Sequence, residues 1–330
     1  MPDIRNALDD DADTLRLVEE FGSDGRPGLR VDLPSVQDLP AALLGLAVPH
    51  DDIDLLVSLL PRMSGPGEGW LLELCLGCID DSMGSTDGML ALPRIRETED
   101  PLSRYFYVFV YLAARSRVER FHSEHWVDPS ITSITLTDLG RNMAVYRLRR
   151  PGAGGFDEYY WLSLHYVGAM YALGRLQFQR ARLGTRTAVA IAAAGHDVEP
   201  REPVLSLHIP RFYGPLTVDL VDAALAQAVG FFAVHFPSER YRYAVCKSWL
   251  LDPQLAGYLH AGSNIRAFQN RLTHAYSDVE ADDAGTLQFV FPDATRPRAE
   301  LPRSSRLQRA LLDHLDAGGH WYNAMGWLEL

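Results

Sequence analysis

Residues 204–250 constrain the fold of this chain more than any other stretch. "VLSLHIP" (204–210) reads as a strand, "RFYGPLT" as a turn and "VDLVDAALAQAVGFFAVHF" as a long apolar helix. "RYRYAVCKSWLL" then reads as a second strand. A strand–helix–strand unit of this length predicts an α+β or α/β domain, with a sheet that the helix covers. Just upstream, "GRLQFQRARLG" alternates Leu176 and Phe178 with Gln177 and Gln179, a strand with one polar face. Downstream, "DPQLAGYL" predicts a short helix with Asp252 as its cap, and "SNIRAFQNRLTHAY" a helix. "GTLQFVFP" predicts a late strand, and "SSRLQRALLDHLDAG" a late helix.

The first part of the chain has a different texture. "DDADTLRLVEEFG", "SVQDLPAALLGLAV", "DDIDLLVSLLPRM", "GEGWLLELCLGCIDDSM" and "DPLSRYFYVFVYLAARSRVERFHSEHW" all predict helices. Past Val127, "SITSITLTDLGRNMAVYRLRR" is rich in β-branched residues and predicts strands, with "PGAGGF" as a hairpin turn. "DEYYWLSLHYVGAMYALG" places Trp161, Leu164, Gly168 and Tyr171 on one helical face. A chain of 330 residues fits two domains, read here as a helical one over 1–125 and a mixed one over 126–330.

Composition excludes some functions. The net charge of −12 disfavours nonspecific nucleic-acid binding, which needs basic residues against phosphates. No uninterrupted apolar run suggests a membrane span, and the acidic start of the chain lacks a secretory h-region, so a cytoplasmic protein without a membrane partner is expected. The basic residues are almost all arginine, and Lys247 is the one lysine. The three cysteines are Cys75, Cys78 and Cys246, too few and too odd in number for a disulfide framework. His122, Glu124 and His125 in "FHSEHW" lack the second half of a zinc signature, so no metal is expected.

The chemistry concentrates at the turn before the long helix. A helix start presents unpaired N–H groups and a partial positive charge, a ready anion site. Arg211, Gly214 and Thr217 lie in that turn, and Arg175, Arg180, Arg182 and Arg186 on the strand before it. Arginine binds phosphate oxygens in bidentate fashion, although arginines on a polar strand face are commonly just solvated. His208 closes the strand, with a neutral imidazole available near neutral pH.

"YALGRLQFQ", "LSLHIP", "DAALAQAVGFFAVHFP", "CKSWLLDPQL" and "SNIRAFQ" occur in that order between Tyr171 and Gln269. Together they resemble the C-terminal half of a bacterial acyltransferase family described as GNAT-like, which carries its own helical N-terminal domain. The resemblance implies an α+β fold, a mixed, splayed central sheet with flanking helices behind a mostly helical domain. It implies transfer of an acyl group from an acyl thioester to an amine, of a small molecule or a peptide, with coenzyme A as co-substrate and no metal. The pantetheine arm would lie along Val204–Pro210, past Ile209, with phosphates near Arg211, Gly214, Thr217, Arg175 and Arg180. His208 would act as base, and Ser248, Tyr258 or Cys246 would protonate the leaving thiolate. Cys246 is alternatively a nucleophile or a packed thiol. The helical domain would cover the open side of the cleft.

One departure stands out. The family's superfamily has a glycine-rich phosphate turn, whereas this one has the single Gly214 followed by Pro215, which has no N–H to donate. An acyl carrier protein as donor, or arginines in place of the missing amides, would accommodate that difference. A noncatalytic binder of acyl thioesters or carrier proteins, and a purely structural role for His208, are the competing readings.

Overall fold

The computed structural model describes residues 3–22, 29–294 and 296–330. The chain forms two compact units, Met1–Tyr171 and Ala172–Leu330. The first is helical among its described residues: α1 (Ala12–Phe21), α2 (Leu39–Gly45), α3 (His50–Leu59), α4 (Pro66–Asp81), α5 (Leu102–Glu124), α6 (Pro129–Leu136), α7 (Asp138–Arg149) and α8 (Tyr159–Tyr166). The centre of this unit is α5. Every residue from Tyr105 to Ala114 is buried, the behaviour of a helix that is apolar all round. Its tyrosine hydroxyls each find an acceptor: Asp52 for Tyr105, the Pro93 carbonyl for Tyr107 and the Tyr159 carbonyl for Tyr111.

The strands expected over 130–150 are helices α6 and α7. The reason is local. Asp128 accepts the amide of Ser130 at 2.7 Å and Pro129 opens the helix, so the start of α6 is capped whatever the β preference of its Ile and Thr residues. Packing then decides the rest, since Thr132, Thr135, Leu136, Leu139, Met143 and Tyr146 are buried at helical spacing. The helical unit therefore continues to Tyr171, past the boundary expected at 125, and "PGAGGF" links two helices instead of two strands.

The second unit carries β1 (Met170–Leu173), β2 (Leu176–Arg182), α9 (Thr185–Ala193), β3 (Pro203–His208), α10 (Val218–His235), β4 (Tyr243–Ser248), α11 (Asn264–Gln269), β5 (Thr273–Ser277), α12 (Asp283–Val290), α13 (Arg306–Asp316) and β6 (Ala324–Glu329). The chain passes from one unit to the next within β1. The strands form one mixed sheet in the order β1-β2-β3-β4-β6-β5. β3 runs antiparallel to β2 and parallel to β4; β6 runs antiparallel to both β4 and β5. As the β-α-β reading requires, α10 is the crossover between the parallel pair.

The two sheet faces are covered differently. Phe232 of α10 meets Phe178 of β2 edge-on, and Phe236 lies under the guanidinium of Arg180 at 4.0 Å. The other face packs Val204, Tyr243, Val245 and Trp327 against Ala188 and Ile191 of α9. With a mean hydropathy of 1.4, α10 is long and apolar enough to cross a membrane by composition. Its place between β3 and β4 of one sheet makes it a covering helix, with Val221, Ala224, Ala228, Phe231 and Phe232 turned inward.

Four further segments depart from expectation. "GTLQFVFP" is the helix α12, because Asp282 accepts the Gly285 amide at 2.9 Å and caps it. The end of "SNIRAFQNRLTHAY" is strand β5, and "DEYYWLSLHYVGAMYALG" splits into α8 and β1. β6, the last strand, has no counterpart in the sequence reading, yet it joins β4 to β5.

Gly140 shows how tightly the helical unit is closed. Its amide donates to the Leu46 carbonyl at 3.1 Å, and a Cβ there would lie 2.0 Å from the Ala47 carbonyl carbon. Backbone cannot swing aside as a side chain can, so Gly140→Ala is expected to destabilise the protein by about 3 kcal/mol, the upper range for overpacking. Urea unfolding monitored by circular dichroism tests this; an unchanged midpoint would refute the close approach.

Candidate active site

The sheet opens between β3 and β4. β2 and β3 stay paired along their whole length, from Arg182↔Pro203 to Gln177↔His208. β4 and β6 are likewise paired from Tyr243↔Glu329 to Ser248↔Ala324. Between β3 and β4, only Leu205↔Ala244 and Ser206↔Val245 are in register. Each strand is held by its outer neighbour, and past Ser206 and Val245 the two part. Leu207 and His208 stand on one lip; Cys246, Lys247 and Ser248 stand on the other.

The period-two alternation of a strand sets what faces the opening. His208 shares a sheet face with Ser206 of its own strand and with Gln177 and Gln179 across the ladder. Its Nε2 lies 2.9 Å from Oε1 of Gln179. The two glutamines that marked a polar strand face in the sequence thus form the wall beside the histidine.

The turn after His208 is braced from within. Arg175 is buried, and its Nε and Nη1 donate to the carbonyls of Pro215 (3.2 Å) and Pro210 (3.0 Å), clamping both ends of the loop. Burial lowers its pKa from the ordinary guanidinium value. Gly214 sits at φ +78°, a conformation that favours glycine, within this loop. Thr217 is the N-cap residue of α10 in extended conformation, and its side chain makes no capping hydrogen bond. Arg211 is exposed and donates to the Phe289 carbonyl.

Arg180 is placed quite differently from a phosphate ligand. It is 4 % exposed, with Nη2 2.6 Å from Oε1 of Glu239 and Nε 3.0 Å from Oε2. Burial pushes the Glu239 carboxyl up, but hydrogen bonds from Arg180 and Tyr241 outweigh it and leave it below the usual range. Arg180 and Arg175 therefore leave the expected phosphate set: one is locked in a buried ion pair, the other holds backbone. Arg271 was not anticipated. It reaches the first turn of α10, 2.5 Å from Asp222 Oδ1 and 3.4 Å from the Val218 carbonyl. No local signal connects it to that helix, which lies far upstream in sequence.

The β4 candidates also separate. Cys246 is 1 % exposed and burial pushes its thiol up to about 12. That burial disfavours the thiolate a nucleophile needs and suits a packed thiol. Ser248 Oγ accepts the Leu250 amide at 3.1 Å and caps the short 3-10 helix Trp249–Leu251. Lys247 is largely exposed and pairs with Asp278 at 2.9 Å. Tyr258 is 37 % exposed, and its hydroxyl lies 2.9 Å from Nδ1 of His314. In the helical unit, His122 Nδ1 meets Thr132 Oγ1 and His125 Nδ1 meets the Phe121 carbonyl, each at 2.9 Å, so the two rings turn to separate partners. The Cys75 thiol is buried and pushed well above its ordinary value by that burial.

Comparison with known proteins gives this geometry a frame. Residues 170–328 match the family model of a GNAT-like C-terminal domain, and residues 37–168 that of an N-acyltransferase N-terminal domain. An acyltransferase solved with decanoyl-CoA and teicoplanin is 34 % identical, with a TM-score of 0.83 over 97 % of this chain and 96 % of that one. The chain belongs to the GNAT-like N-acyltransferase family. An acyltransferase solved with decanoyl-CoA is 36 % identical (TM-score 0.84, 96 % and 93 % covered). A variant acyltransferase in complex with octanoyl-CoA is 34 % identical (TM-score 0.87, 99 % and 98 % covered). A search of curated proteins returns no significant match.

The protein is thus a GNAT-like N-acyltransferase, built on the mixed six-stranded sheet the resemblance implied. In this acyltransferase the ion pair of Arg180 makes a direct prediction. Glu239 has its pKa lowered, so the stability it contributes is present above the unfolded carboxylate value and is lost as pH falls through the folded one. Replacing Arg180 with Met strands that carboxylate, at an expected cost of about 3 kcal/mol at neutral pH. Denaturant unfolding should show this loss shrinking towards acid pH, while KM for acyl-CoA in the folded variant stays that of the parent. A raised KM without loss of stability would return Arg180 to the phosphate set.

Proposed function

We propose that this N-acyltransferase moves a medium-chain acyl group from coenzyme A to an amine of a compound resembling the acceptor its relatives hold. The observation that carries the placement of the donor is the loss of pairing between β3 and β4 beside His208. A pantetheine arm running past Ile209 would bring its own amide groups to the strand edges that part there. Backbone amides of those edges could polarise the thioester carbonyl as it becomes an oxyanion. The nucleotide end would rest on the loop with Gly214 and Thr217, where α10 starts, with Arg211 and Arg271 as the nearby cations. The bound decanoyl-CoA and octanoyl-CoA of the relatives favour a medium chain, and teicoplanin in one of them favours a large amine acceptor.

His208 takes the proton from the attacking amine, held in place by Gln179. Tyr258 returns a proton to the CoA thiolate. It is favoured over Ser248, whose oxygen caps a helix, and over the buried Cys246. An acyl carrier protein would present the same phosphopantetheine thioester without the nucleotide. A cytoplasmic setting, where acyl-CoA is made, belongs to the same proposal.

Free-thiol release from octanoyl-CoA and decanoyl-CoA, with and without an amine acceptor, tests the reading. His208→Ala is expected to lower kcat about 100-fold or more, and Cys246→Ala to leave turnover intact. Turnover untouched by His208→Ala would overturn the base assignment. Release of thiol from an acyl carrier protein, with none from acyl-CoA, would reassign the donor.

A further inference from the structure

Tyr258 and His314 form a pair that the proposed reaction does not by itself explain. His314 lies in the last turn of α13, a helix begun by a full capping box between Ser305 and Gln308. The imidazole is 9 % exposed, and its Nε2 lies 3.1 Å from the carbonyl oxygen of His320. A carbonyl only accepts, so Nε2 carries the hydrogen and Nδ1 is the nitrogen that gains or loses a proton. That nitrogen faces the hydroxyl of Tyr258 at 2.9 Å. The ring has a built seat. Trp321 packs against it with centroids 4.3 Å apart, and a Cβ at Gly319 would come within 2.4 Å of its Cε1 and Nε2. Only a residue without a side chain at 319 leaves room for the imidazole in this position.

We propose that His314 is a positioning residue of the transfer reaction, holding Tyr258 as proton donor to the departing thiolate and refilling it. The proposal rests on the acyl-transfer reading above. In the working form the ring is imidazolium. Nδ1–H donates to the Tyr258 oxygen, and the Tyr258 hydrogen turns towards sulfur. When the C–S bond of the tetrahedral intermediate breaks, sulfur takes the Tyr258 proton and the Tyr258 oxygen takes the Nδ1 proton. His314 ends neutral, with Nε2–H still on the His320 carbonyl, and solvent acid recharges it. Without His314, proton loss would leave a bare phenolate.

The surroundings suit a ring that takes up charge. The C-terminal turn of a helix favours a cation. The acids nearby are already engaged: Asp313 and Asp316 of α13 with Arg303, and Asp316 also with Arg298. Asp283 of α12 pairs with the His320 ring, and Asp252 accepts the amide of Tyr322.

The test varies the leaving group. His314→Gln keeps a polar side chain but cannot carry the proton, and Tyr258→Phe leaves the seat of His314 intact should the first variant fold poorly. With decanoyl-CoA, each is expected to lose about 100-fold in kcat with KM nearly unchanged. With an aryl thioester of decanoic acid, whose thiolate leaves without protonation, the loss should shrink to a few-fold, while that of His208→Ala persists. An equal loss with both donors, or none with decanoyl-CoA, overturns the relay. A parent protein that releases no thiol from any donor overturns the acyl-transfer reading instead, and the relay with it.

Discussion

Two registered pairs between β3 and β4 are the constraint on which the rest of the second unit turns. A parallel ladder that ran on in the same register would bring His208 and Lys247 edge to edge and leave no room for a ligand. Here each strand is fixed by an antiparallel neighbour, β2 on one side and β6 on the other, so the opening costs the sheet little of its stability. Pro210 lies two residues past His208, and with no N–H it cannot extend the pairing. The covering helix α10 then starts beyond a loop that Arg175 holds at both ends.

Burial sorts the polar side chains of this region by role. Groups inside the fold are spent on structure: Arg180 is paired with Glu239, which Tyr241 also meets, and the Cys246 thiol is buried. Half-exposed groups make one contact inward and keep another edge outward, as His208 does through Gln179 and Tyr258 through His314. A side chain that must touch a substrate and yet hold its orientation needs that second kind of placement.

Much of the second unit was legible from sequence because its signals are local. The alternation in "LQFQRAR", the long apolar run of α10 and the turn residues between them depend on neighbours in the chain, and they led to the correct strand–turn–helix–strand core. What escaped depends on distant partners. The Ile and Thr of α6 carry a β preference that packing around Thr132, Thr135 and Leu136 overrules. β6 is short, and its "AMGWLE" shows no alternation strong enough to announce a strand; its partners β4 and β5 define it. Site residues divide the same way. His208 was singled out from its place at the end of a strand, whereas the ion pair that occupies Arg180, the carbonyls that occupy Arg175 and the approach of Arg271 to α10 span 35 to 59 residues of chain.

The manner in which Arg175 is held has an electrostatic outcome. Carbonyl dipoles, not carboxylates, receive its hydrogen bonds, so its unit of positive charge is oriented but not cancelled. Partly withdrawn from water, such a charge is poorly screened and its field reaches farther than that of a solvated arginine. The loop before α10 is therefore backed by a fixed positive charge that its own side chains do not supply.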